Sequence, residues 1–153
     1  MPTPARLVSA LVMAALGFYG VVTLAGIVLP EGVTARGFAA IAALCGLVLG
    51  WVMLGRSASG PNDRGERFTV VVTAGMMTAV TLAVLLAVGQ AFRAMILKSL
   101  TTAYREPWLA MEAWMDFIVT NMMMLSDPRM LLTIFVGGAL CGVVAWGAGR
   151  GWT

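Results

Sequence analysis

Four stretches of this 153-residue chain contain no charged side chain: Leu7–Leu29, Phe38–Leu54, Phe68–Phe92 and Met130–Gly149. A helix needs about 20 predominantly apolar residues to cross a bilayer. In hydrocarbon a helix is also the one segment that satisfies its own backbone polar groups. The four runs therefore predict four transmembrane helices, the short second run recruiting Gly37 and Gly55 to complete its span. Residues 1–153 should then form a single all-α membrane domain, a four-helix bundle, with no room left for a separate soluble domain.

Composition agrees. The chain is 60% hydrophobic and 11% charged, whereas a soluble domain carries roughly a quarter charged residues. Its net charge of +3 is too small and too scattered for a nucleic-acid footprint. The absence of histidine removes His-based acid–base catalysis and most zinc and haem ligation. Arg6 and Thr23-x-Ala25 have the flavour of a signal peptide. The first apolar stretch is longer than such segments and a second span follows closely, so an uncleaved helix is expected.

Thr3-Pro4, Glu106-Pro107 and Asp127-Pro128 each place a possible capping side chain before a proline, which fits the first turn of a helix. Ser126-Asp127-Pro128 should start the last helix near residue 128, and Pro30-Glu31-Gly32 should end the first. Ser57–Arg67 reads as a solvated connector. Arg6, and Arg56, Arg64 and Arg67 in the second connection, favour cytoplasmic N- and C-termini. Arg93, Lys98, Arg105 and Arg129 in the third connection weigh against that orientation.

That third connection is the unusual segment. Pro107–Leu125 predicts an amphipathic helix, between helices 3 and 4 in the chain, that is too charged to span and too apolar to be solvated, so it should lie along the membrane interface, apolar side down. Trp108, Met111, Trp114, Met115, Ile118, Met122 and Leu125 share one side at helical spacing and are expected to face lipid or another membrane protein. Glu112, Asp116 and Thr120 form the other stripe. A cation site is one use of such a stripe; a wetted face, paired with Lys98 or Arg105, is the more ordinary one.

Twelve methionines invite a Cu(I) reading, but Met is also a flexible packing residue, and no metal site or cofactor is expected. Cys45 and Cys141 sit mid-span in matching contexts, Ala-Leu-Cys-Gly, compatible with a duplicated hairpin. Buried free thiols are expected there rather than a disulfide or a redox pair. Gly46-x-x-x-Gly50 and Gly138-x-x-x-Gly142 let helix backbones approach closely, with Gly17 and Gly20 as a further candidate contact. Packing within the chain is favoured over dimerisation. The spans hold no ionisable carboxylate to carry protons or ions, and no nucleophile–base pair that would make an enzyme.

Three segments together resemble a known family. Met1-Pro2-Thr3-Pro4-Ala5-Arg6-Leu7-Val8, the Pro30-Glu31-Gly32 turn and Gly50-Trp51-Val52-Met53-Leu54-Gly55-Arg56 look like the TrgA-type tellurite-resistance proteins, small integral membrane proteins of bacteria. Asp127-Pro128-Arg129 before a span with Gly137-Gly138 fits the same pattern. The resemblance implies a link to tellurite tolerance and carries over no catalytic residue. Two functions follow as expectations: a non-catalytic accessory subunit of a larger respiratory or photosynthetic membrane assembly, or a small oligomeric exporter or channel for an oxyanion such as tellurite.

Overall fold

The computed structural model describes residues 4–23, 35–58, 64–101 and 107–151. Apart from the turn at Ser126–Asp127, all of these are helical. The helices are α1 (Pro4–Thr23), α2 (Ala35–Leu49), α3 (Arg64–Thr101), α4 (Pro107–Leu125) and α5 (Pro128–Gly151). α2 continues without a break through a π-helical stretch, Gly50–Leu54, and a last α-helical turn, Gly55–Ala58. Four helices, namely α1, extended α2, α3 and α5, are long and apolar enough to cross a membrane. The chain is an all-α membrane bundle. Residues 24–29 of the first apolar run and the Pro30-Glu31-Gly32 turn lie outside the described residues, as does part of the Ser57–Arg67 connector.

Lipid gives two apolar helices no hydrophobic reason to associate, so close backbone approach must supply the attraction. Along the α1–α2 seam each step back on α1 is matched by a small residue on α2. Gly17 lies against the Ala42 carbonyl, Gly46 against Met13, Gly50 against Ser9 and Ala10, and Gly55 against Arg6. Gly55 lies nine residues beyond Gly46, which in an unbroken α-helix is the opposite face. The π-helical stretch removes that mismatch: the Gly55 N–H donates to the Gly50 carbonyl, five residues back, and keeps the third glycine on α1. The fully buried Ser9 hydroxyl lies 3.2 Å from the same carbonyl and 2.9 Å from the Arg6 carbonyl.

α3 and α5 form a second antiparallel seam. Gly75 lies against Gly138 and Gly142, Gly138 against Met76 and Ala79, and Gly142 against Val71 and Val72. Phe68 and Trp146 close it with an edge-to-face contact, centroids 5.3 Å apart. The two seams meet in a core of Met13, Leu54, Val71, Ala79, Cys141 and Ala145.

α3 is 38 residues long, about 57 Å at 1.5 Å per residue, and outruns the hydrocarbon. The third apolar run ends at Phe92, but the helix continues to Thr101 because no Gly or Pro interrupts it and Arg93 and Lys98 are good helix formers. α4 then runs back beside this extension. Trp114 meets Phe92 edge-to-face at 6.2 Å, and two turns later the Asn121 amide donates to the Ala87 carbonyl at 3.2 Å. Asp127 ends α4 and caps α5: its carboxylate accepts from the Arg129 N–H at 2.8 Å, and its carbonyl accepts the Leu131 N–H. α4 and α5 thus form, in series, a broken partner for one long helix.

Candidate interaction surface and interior cavity

α4 is built on two faces, and the structure divides the expected apolar set between them. Trp114, Ile118, Met122 and Leu125 are half-buried, together with Ala110, Ala113, Phe117 and Asn121. Lys98 of α3 reaches over the Phe117 ring at 5.5 Å. Trp108, Met111 and Met115 instead remain exposed, Trp108 by 72%, and are joined by Val119 and Met123. The packed face is thus rotated away from the methionine row, and meets α3 through Trp114, Phe117 and Asn121.

Glu112 and Asp116 border the exposed methionine row. Among the described residues neither is ion-paired; Lys98 lies over Phe117 and Arg105 is outside the described residues. This free face therefore has an apolar centre with a carboxylate edge.

The second feature lies between all five helices, at the end of the bundle where α4 packs. A cavity of about 100 Å³ is walled by Leu16 and Gly20 of α1, Phe38 of α2, Leu86 of α3, Leu125 of α4 and Ile134 of α5, among others. Three polar side chains reach it: Gln90, Asn121 and Thr133. The Asn121 amide bonds the Ala87 carbonyl, and the Thr133 hydroxyl donates to the Arg129 carbonyl at 2.8 Å. Gln90 is only 7% exposed and its Nε2 has no hydrogen-bond partner. A buried amide nitrogen left unpaired costs about 1–3 kcal/mol. The cavity therefore offers a donor to one acceptor oxygen. It does not offer acid–base chemistry, because amides do not titrate.

The remaining sequence candidates fall elsewhere. Gly46 and Gly50 sit in the α1–α2 seam and Gly138 and Gly142 in the α3–α5 seam, all within one chain. Gly17 joins the first seam, whereas a Cβ added at Gly20 would meet nothing within 4 Å. Both cysteines are free. Cys141 is in the core, with its sulfur 3.8 Å from the Val12 carbonyl, while Cys45 lines a crevice between α2 and α3. Among the described residues no three His, Cys, Asp or Glu side chains cluster. Two further seam contacts, Gly55 against Arg6 and Gly75 against Gly138, are not marked by a Gly-x-x-x-Gly spacing. The spacing Gly75-x-x-x-Ala79 was a signal for the latter; nothing local marks the π-helical stretch that recruits Gly55. Comparison with protein families, characterised proteins and solved structures finds no match to the chain.

Proposed function

We propose that this chain is a non-catalytic accessory protein of a bacterial inner membrane. The free face of α4 docks it on a larger respiratory or photosynthetic assembly, and the tie to tellurite tolerance implied by the sequence resemblance is indirect. The observation that carries this reading is the surface of α4. One face is already buried on α3, yet the other keeps Trp108, Met111, Met115 and Met123 uncovered beside two carboxylates. An apolar centre with a charged rim suits a protein partner, since Met and Trp are favoured at such interfaces. An exporter would need a polar route, and the cavity walls are apolar apart from Gln90, Asn121 and Thr133.

The test is native pull-down in mild detergent, with tellurite tolerance measured on the same strains. Met111→Glu with Met115→Glu should release the partner and lower tolerance while the bundle stays folded. Glu112→Gln with Asp116→Asn, which leaves the apolar centre intact, should weaken association only several-fold. Loss of tolerance in the neutralised pair, with assembly unchanged, contradicts the accessory role and favours ion handling.

A further inference from the structure

We propose that the crevice between α2 and α3 holds an anionic phospholipid, its phosphate on Arg93 and an acyl chain along the groove. The two helices diverge toward this end of the bundle and leave an apolar crevice of about 540 Å³. Ile41 and Cys45 form one wall, Leu85 and Leu86 the other, and Gly89 opens the floor. A Cβ at Gly89 would meet nothing within 4 Å, so the groove is open at this position.

Arg93 stands at the mouth. It is the first charged residue after the uncharged run Phe68–Phe92, which places its guanidinium at the border of the hydrocarbon. It is exposed, and among the described residues no carboxylate pairs with it. Arg36, also exposed, precedes Gly37 at the same rim and adds a second positive charge.

An apolar trough with a free guanidinium at its polar end is complementary to one common molecule in a bilayer, a lipid whose headgroup carries net negative charge. A neutral lipid would fill the trough equally well but leave the cation without a net counter-charge. The inference is independent of the docking role of α4.

The experiment is native mass spectrometry of the purified full chain, titrated with phosphatidylglycerol or phosphatidylcholine of identical acyl chains. The parent should bind phosphatidylglycerol about fivefold more tightly. Arg93→Gln should abolish that preference, and Arg93→Lys should retain most of it. Gly89→Leu, which fills the groove, should weaken both lipids together. Circular dichroism confirms that each variant remains helical. Equal binding of the two lipids by the parent, an unchanged preference in Arg93→Gln, or a copurifying polypeptide that excludes lipid from the crevice would each overturn the proposal.

Discussion

Glycine does opposite things at the two ends of this bundle. At one end, Gly46, Gly50, Gly138 and Gly142 sit so close to a neighbouring helix that an added Cβ would come within 3 Å of its atoms. At the other, beyond Gly17 where the first seam runs up against the cavity, a Cβ on Gly20 or Gly89 would touch nothing within 4 Å, and these two border the cavity and the crevice instead. Gly147 is equally unconstrained at the tight end, but on the outer face of α5, so the contrast concerns glycines between helices. In lipid, cohesion comes from close packing rather than from expelled water. The seams therefore hold the four spans together at one end, and the other end is free to keep open volume, an unpaired Gln90 amide and the packed-on α4.

The largest effect should come from filling a seam. Gly142→Leu must displace the backbone of Val71 and Val72, where a Cβ alone would lie 2.7 Å from the Val72 Cα. Loss of folded protein on size exclusion in detergent is the expected result. Next comes the α3–α4 contact. Trp114→Ala removes the ring that meets Phe92 and should cost about 3 kcal/mol of detergent-unfolding free energy, whereas exposed Trp108→Ala should stay within about 0.5 kcal/mol. Asp127→Ala deletes the cap of α5 and should cost about 1 kcal/mol in the same assay. The smallest change has the opposite sign. Gln90→Met replaces an orphaned buried amide by an apolar side chain and should stabilise by up to about 1 kcal/mol. Destabilisation there would mean that the amide has an acceptor in the membrane-embedded protein.

Much of the architecture is readable from local chemistry. Charge-free runs mark the spans, and the limits of α4 fall where Pro107 and Asp127-Pro128 put them. The spacings of Gly46 with Gly50 and Gly138 with Gly142 are visible too, but not which helix each pair faces. Three features are not local and were not readable. α3 runs past Phe92 because hydropathy reports the thickness of hydrocarbon, not where a helix must stop. The surface of α4 divides differently from its hydrophobic stripe, because Trp114, Phe117 and Asn121, rather than the methionine row, meet α3. The cavity around Gln90 exists only because five helices fail to converge there, which no single segment encodes.

The claim that one end is closed and the other open is tested most directly by the same substitution at both. Gly46→Ala and Gly20→Ala add one methyl group each, to α2 in the seam and to α1 beside the cavity. Thermal unfolding of both variants in one detergent should show the Gly46 variant's midpoint falling by roughly 5 °C or more, for an overpacking cost of about 2 kcal/mol. The Gly20 variant should match the parent or slightly exceed it, since alanine is the better helix former. Equal midpoints for the two variants, or a larger loss at Gly20, would contradict the account.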